Sequence, residues 1–108
     1  TRTLYLIECK STKGTSVPLS MIRNNQIEGL QEASKHNLVA GILVNFRNEN
    51  NDTFFIEIDD FVTMMNSINK KSFNIKDLES IGATRVESTK KRTRHTYNIE
   101  NLVKETHL

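Results

Sequence analysis

Hydrophobic and polar positions change their spacing along the chain, and each spacing predicts a type of secondary structure. Two stretches, residues 4–10 and 38–46, carry apolar residues on both alternating faces. This pattern is typical of interior strands that are covered on both sides. Between them, apolar residues at helical spacing predict a helix over about residues 19–35, with Pro18 in its first turn. These apolar residues are Leu19, Ile22, Leu30 and Ala33.

A strand, a long helix and a second strand together predict a βαβ crossover, whose two strands are parallel. Residues 53–58 form a further apolar stretch and are expected to pair antiparallel with the 38–46 strand. Asp59 or Asp60 is expected to cap the helix that follows. The apolar residues of that helix are Phe61, Met64, Met65 and Ile68. The predicted fold class is α/β, with a central mixed sheet flanked by helices.

The last third of the chain contains a short repeated pattern at residues 73–78 and 97–102. In both places an aromatic residue, Asn and Ile are followed by Leu. Because Asn is a common helix cap and the aromatic residue can pack against the Leu, the pattern predicts helices over about 74–81 and 98–106. Gly82 is expected to end the first of them.

Between these two helices, residues 83–88 and 93–97 are expected to pair as a hairpin with a basic turn. The basic residues of this segment are Arg85, Lys90, Lys91, Arg92, Arg94 and His95, with Tyr97 beside them. Such a segment can neutralise nucleic-acid phosphates without reading sequence. A solvated, charged hairpin is the alternative, and the formal net charge of +2 does not decide between the two.

Length and composition limit the possible classes of protein. A chain of 108 residues with 36% hydrophobic and 26% charged residues is expected to form one domain. We divide it into a strand–helix–strand–strand–helix core over residues 1–69 and a basic hairpin with short helices over 70–108. No apolar run reaches the ~20 residues of a membrane helix. A single Cys is consistent with a reducing cytoplasm.

Two charged residues continue the apolar face of the first strand. Glu8 and Lys10 lie at alternate positions after Leu4 and Leu6, so all four share one face. Placing unlike charges on a buried face is costly unless they pair or bind something, which makes this strand end a candidate site. Gln26 falls within the apolar stripe of the following helix and is expected to face the sheet. It could bond the backbone or reach a polar site.

The residues around this strand resemble a known family. Glu-X-Lys on a strand before a crossover helix is the core motif of PD-(D/E)XK nucleases. Residues 6–13 (LIECKSTK), 15–19 (TSVPL) and 25–28 (NQIE) together resemble the RecU-type Holliday junction resolvases. The Phe-Phe-Ile strand at 54–56, followed by the acidic step into a helix, is also similar. The resemblance covers about residues 4–65.

The resemblance implies roles for four residues. Glu8 would bind Mg²⁺, or Mn²⁺, with its carboxylate, and the main-chain carbonyl of Cys9 would complete the coordination. Lys10 would position or deprotonate the attacking water or stabilise charge on the phosphate. Gln26 would orient the water and Lys10. A lone Cys9 thiol is more simply a buried apolar group than a nucleophile.

The resemblance also implies an activity and a partner. RecU-type resolvases are homodimers that cut four-way DNA junctions during recombination and repair. Contacts with branched DNA are expected from Lys13 and the basic segment. The family also requires an Asp on the strand before Glu-X-Lys. The sequence begins three residues before Leu4 and leaves no room for this Asp. The chain is therefore expected to be either a C-terminal piece of a longer nuclease or a reduced relative without full metal binding, and to cleave little or not at all by itself.

Two other functions remain open from the sequence. The first is a non-catalytic nucleic-acid-binding domain that uses the basic segment and keeps Glu8 and Lys10 as a relic. The second is a protein-interaction domain in which these two residues form an internal ion pair.

Overall fold

The structure, a computed structural model, describes residues 3–47 and 51–86 with their side chains, and the backbone of residues 88–91 and 94–97. No helix in these parts of the chain is long and apolar enough to cross a lipid bilayer. The strands are β1 (Tyr5–Thr12), β2 (Ser16–Pro18), β3 (Val39–Phe46), β4 (Asp52–Glu57), β5 (Ser72–Asn74), β6 (Thr84–Val86), β7 (Ser88–Lys91) and β8 (Arg94–Tyr97). The helices are α1 (Asn24–Lys35), α2 (Ile58–Ser67) and α3 (Ile75–Ser80), with a short 3₁₀ turn at Leu19–Met21.

The main sheet has four described strands in the order β1-β3-β4-β6. β1 and β3 are parallel and joined by α1, whereas β3–β4 and β4–β6 are antiparallel. The predicted βαβ crossover, the antiparallel neighbour of the second strand and the α/β class with a mixed sheet are therefore confirmed. β3 is an interior strand, as its apolar run predicted.

Both long helices pack on one face of this sheet and form the main core with it. Ile27 and Leu30 of α1 and Phe61 and Met64 of α2 are buried there. They meet the buried side of the central strands, which consists of Ile42, Val44, Phe46, Phe54 and Ile56. The Met and Phe residues of α2 thus fill the core, as expected.

The first strand differs from its prediction. β1 lies at an edge of the described sheet, with β3 as its neighbour. Leu4 is 56% exposed and Leu6 44% exposed, so the face that they share with Glu8 is only partly covered. The expectation of an interior strand was wrong, because apolar alternation reports which faces can be buried and does not report how many strands pair.

The crossover helix also begins later than predicted. α1 starts at Asn24, and Pro18 lies in β2, which pairs antiparallel with β5. Val17 is fully buried at this pairing, and the backbone N–H of Leu19 donates to the carbonyl of Lys71 at 2.8 Å. The fixed φ of proline fits a strand edge as well as a first helical turn, so tertiary pairing decided between them.

The ends of the other helices agree in part with the sequence. α2 begins directly at Ile58, so Asp59 and Asp60 lie in its first turn and neither is the cap. Asn74 caps α3 as predicted, because its side chain accepts from the Asp77 N–H at 3.0 Å. Gly82 follows the end of α3 with a φ of +82°. The predicted helix over 98–106 lies outside the described residues.

The hairpin in the last third has different strands from those predicted. Thr84–Val86 joins the main sheet as β6, against β4. The hairpin instead pairs β7 with β8, with Lys90 opposite His95 and Lys91 opposite Arg94. The expectation that residues 83–88 pair with 93–97 was therefore wrong for most of its first strand.

Gly41 on β3 allows the close approach of two neighbours. A methyl group at this position would lie 2.7 Å from the Phe55 ring and closer still to the carbonyl oxygen of Ile56. Phe55 belongs to a second, smaller apolar cluster with Val86. A side chain at Gly41 would therefore displace both the ring and the β3–β4 backbone.

We predict that Gly41→Ala lowers the free energy of unfolding by about 2–3 kcal/mol, as is usual when a packed site is overfilled. Gly29→Ala in α1 is the control, because a methyl group there meets nothing within 4 Å. The control should raise the free energy of unfolding by about 0.5–1 kcal/mol through helix propensity. Urea denaturation measures both, and equal effects of the two variants would contradict this account.

Candidate active site

The site is built on two charged residues of β1. Glu8 and Lys10 lie level with the buried residues Ile42 and Val44 of β3, on the face covered by the helices. The Lys10 Nζ lies 3.5 Å from Glu8 Oε1. The Lys10 side chain is 17% exposed and that of Glu8 36% exposed, so the pair is partly shielded from water. Pairing reduces the cost of placing these charges beside the core.

Helix α1 brings the third predicted residue to this pair. Gln26 lies in the first turn of α1, and its Nε2 donates to Glu8 Oε1 at 2.9 Å. The prediction that Gln26 faces the sheet is confirmed. Its described partner on β1 is Glu8, not Lys10.

Both donors therefore meet the same carboxylate oxygen. Oε1 of Glu8 accepts from the Gln26 amide and lies 3.5 Å from the Lys10 Nζ, while no hydrogen bond reaches Oε2 from the described residues. An open groove of about 190 Å³ lies beside it. The groove is lined by Leu6, Ile7, Glu8, Asn25, Gln26, Gly29 and Leu30. A carboxylate that lines a groove suits a cation or a hydrogen-bond donor.

Cys9 contributes its backbone to the same edge. The carbonyls of Leu4 and Thr12 accept from Val39 and Arg47 on the β3 side. Because backbone groups alternate along a strand, the carbonyls of the odd-numbered residues between them, including Cys9, point to the open edge of β1. The Cys9 residue is exposed rather than buried, which differs from the default expected for a lone Cys.

These donors fit Mg²⁺ in kind but supply few ligands. Mg²⁺ prefers oxygen ligands, keeps several waters and is commonly held by one or two carboxylates together with substrate phosphate. Glu8 Oε2 and the Cys9 carbonyl are oxygens of this type at one corner of the sheet. Among the residues with described side chains there is no group of three or more His, Cys, Asp or Glu that could hold a metal.

The acidic residues at the start of α2, Asp59 and Asp60 with Glu57 before them, are separate from this site. Glu57 is level with Gly41 and hence with Ile7, on the face opposite to Glu8. Burial, followed by the charges of Asp60 and Asp59, raises the pKa of Glu57 above its usual value. The charged form of Glu57 is therefore disfavoured, and the acidic residues at the start of α2 add no oxygen ligand beside Glu8.

The residues predicted to contact DNA fall in three places. Lys13 is exposed in the loop after β1. Lys90, Lys91 and Arg94 lie on the β7–β8 hairpin, and Arg92 lies outside the described residues.

Arg85 lies on β6, at the opposite edge of the sheet from Lys10 and in the same row. Its guanidinium pairs with Asp52 at 2.6 Å and lies 4.8 Å from the centre of the Phe54 ring, although half of the side chain is exposed. Arg85 thus has a structural role in holding β6 against β4.

Sequence reasoning missed Asn25 and Gly29, which line the groove. The available signal was Gly29 itself, because glycine inside a helix costs stability unless something approaches closely. Within the described residues nothing lies within 4 Å of its added methyl group. Gly29 thus borders open space in the groove that Glu8 also lines.

The strand–helix–strand unit, with its carboxylate and amine beside the crossover helix, defines an α/β protein with a nuclease-like core. The sequence model of the family described as Recombination protein U matches residues 3–101, and the chain belongs to that family. The chain is also similar to the SPbeta prophage-derived uncharacterized protein YotM of Bacillus subtilis (strain 168). The identity is 36%, over 92% of this chain and 58% of that protein. The chain thus spans a little over half the length of this curated relative.

We predict that Glu8 is coupled more strongly to Gln26 than to Lys10. A double-mutant cycle with Glu8→Ala and Gln26→Ala, measured on the free energy of unfolding, should give a coupling energy of about 1–2 kcal/mol, because the amide donates a hydrogen bond to a carboxylate. A cycle that combines Glu8→Ala with Lys10→Met should give a coupling energy of about 0.5 kcal/mol, since the Glu8–Lys10 distance is longer and the ion pair is partly exposed. A Glu8–Gln26 coupling near zero would show that the hydrogen bond does not form in solution.

We also predict that Glu57→Gln stabilises the protein at pH 7. Because the pKa of Glu57 is raised on folding, the folded state holds this proton more tightly than the unfolded chain, and stability falls as pH rises through the raised pKa. The gain from Glu57→Gln should therefore shrink below the usual pKa of 4.5. Urea denaturation at pH 7 and at lower pH measures it, and a gain that grows on acidification would contradict this assignment.

Asp77→Asn is a control for which the opposite change in stability at pH 7 is expected. Burial raises the pKa of Asp77, but the hydrogen bond from Lys70, the backbone N–H of Asn74 and the charge of Lys70 outweigh it and hold the pKa below its usual value. Its stabilisation is present above the usual pKa of 3.8 and is lost as pH falls through the lowered pKa. Asp77→Asn should therefore destabilise the protein at pH 7, and the loss should shrink in acid.

Proposed function

We propose that this chain carries the catalytic half-site of a metal-dependent, structure-selective endonuclease that acts on branched DNA, such as a four-way junction, in recombination and repair in the cytoplasm. The observation that carries the proposal is the Glu8 carboxylate, which is held at one oxygen by Gln26, lies beside Lys10 and lines a groove. Membership of the Recombination protein U family supports the same conclusion.

Each residue has a defined task in this proposal. Glu8, through Oε2, and the Cys9 carbonyl would hold Mg²⁺ or Mn²⁺. The bound ion would polarise the phosphate and lower the pKa of a coordinated water. Lys10 lies next to Glu8, where its amine would hold a phosphate oxygen or the attacking water. Gln26 keeps the carboxylate in place from the crossover helix.

DNA binding is proposed for Lys13 and for the basic residues in the last third of the chain. Lys13 extends from the loop after β1, close in sequence to Lys10. Lys90, Lys91, Arg92 and Arg94 would add phosphate contacts that depend on salt and are independent of sequence. Arg85 would contribute only its exposed side, since its charge is already shared with Asp52. A homodimer would place two such sites on opposing strands of a junction.

A second candidate is a nucleic-acid-binding domain without catalysis. The single side-chain carboxylate at the site, with no cluster of three metal-binding side chains among the described residues, favours this alternative. The same observation makes us expect weak cleavage from the 108 residues by themselves.

The test compares metal binding and cleavage in three proteins: the wild type, Glu8→Gln and Glu28→Gln. Glu28 is an exposed carboxylate on α1 and serves as the matched control. Mg²⁺ or Mn²⁺ should raise the melting temperature of the wild type and of Glu28→Gln but not of Glu8→Gln, because a ligand that binds the folded state stabilises it. Slow cleavage of a labelled four-way junction should follow the same pattern.

Other results separate the alternatives. A gel shift of the junction in EDTA without any metal-dependent stabilisation would favour the non-catalytic binding domain. Absence of both effects would favour an internal Glu8–Lys10 ion pair in a protein-interaction domain. Cleavage that persists in Glu8→Gln would contradict the proposed site.

A further inference from the structure

The side-chain amide of Gln26 forms one hydrogen bond through its nitrogen and another through its oxygen. Its Nε2 donates to Glu8 Oε1 at 2.9 Å, and its Oε1 accepts from the backbone N–H of Arg23 at 3.0 Å. Arg23 is the residue that precedes the first turn of α1. Its N–H is one of the donors that a helix leaves without a partner inside the helix.

The two contacts determine which way the amide points. A backbone N–H can only donate and an ionised carboxylate can only accept. Turning the Gln26 amide by half a rotation would place the NH₂ group against the Arg23 N–H and the oxygen against Glu8. Both hydrogen bonds would be lost together, so the start of α1 selects the orientation that presents a donor to Glu8.

This orientation presents a hydrogen-bond donor, not a second acceptor, to the Glu8 carboxylate. Gln26 donates to Oε1, the Lys10 Nζ lies 3.5 Å from the same oxygen, and Glu8 lines the groove. We propose that the Arg23 backbone N–H, acting through Gln26, is a positioning device that holds the Glu8 carboxylate in place for a divalent cation. The inference rests on the proposed function, in which Glu8 binds that cation, and assigns Gln26 as a positioning residue.

The backbone at Arg23 allows the N–H to be removed alone. Arg23 has φ −77° and ψ 153°, and Ile22 before it has φ −101° and ψ 105°. Proline requires a φ near −65° and an extended residue before it. The φ of Arg23 and the extended conformation of Ile22 already suit a proline at position 23. Arg23→Pro deletes the donor, and Arg23→Ala deletes the same side chain while keeping the donor.

The experiment measures Mn²⁺ affinity by calorimetry for the wild type, Arg23→Ala and Arg23→Pro. Arg23→Ala should bind like the wild type, and Arg23→Pro about 10-fold more weakly, the usual loss when a partner of a metal ligand is removed. Gln26→Met should show the same loss, and Arg23→Pro should add nothing to it. In metal-free protein, the NMR signals of the Gln26 side-chain amide should shift in Arg23→Pro and not in Arg23→Ala.

A second measurement does not depend on the folding of Arg23→Pro. If the Arg23 N–H favours cation binding through Gln26, the cation must favour that hydrogen bond by the same factor. Saturating Mg²⁺ should therefore slow hydrogen exchange at the Arg23 amide of the wild type about 10-fold, and should leave this rate unchanged in Gln26→Met.

The possible failures are distinguishable. Equal Mn²⁺ affinity in Arg23→Ala and Arg23→Pro, or an Arg23 amide insensitive to Mg²⁺, overturns the positioning inference and leaves the proposed function standing. No Mn²⁺ binding by the wild type overturns both.

Discussion

The parallel pairing of β1 with β3 is the constraint on which the remaining structure depends. Eight consecutive residues of each strand pair in register, from Tyr5 with Val39 to Thr12 with Phe46. Parallel neighbours cannot be joined by a tight turn, so the chain must cross the sheet, and α1 makes that crossing over the face that carries Glu8. The first turn of α1 therefore comes to lie beside Glu8. The position of the site is a consequence of topology.

The chemistry of the site follows from an uneven distribution of donors around one carboxylate. Two donors, from Lys10 and Gln26, converge on Oε1 of Glu8, and no hydrogen bond reaches Oε2 from the described residues. A carboxylate with both oxygens paired would be a structural feature, and one with neither paired would not be fixed in position. The observed arrangement holds the side chain through one oxygen, which suits the proposed role of Glu8 as a metal ligand.

Other polar residues are used mainly to stabilise the fold. Arg85 forms an ion pair with Asp52 and stacks on Phe54, which holds β6 at the sheet edge opposite to β1. Thr53 is buried, and its hydroxyl accepts from the Asn45 amide at 2.9 Å. A basic residue in a positively charged segment is thus not automatically a phosphate ligand, because its charge can already be shared within the protein.

The sequence by itself determined the interior strand β3, the crossover, the cap at Asn74 and the common face of Glu8 and Lys10. Each of these depends on the alternation of side chains or on a local hydrogen bond, which neighbouring residues specify. Only the tertiary structure decided that β1 lies at an edge, that Pro18 belongs to a strand and that Gln26 bonds Glu8. These features depend on partners distant in sequence. Local pattern does not encode the number of neighbours of a strand, nor the single oxygen at which two elements meet.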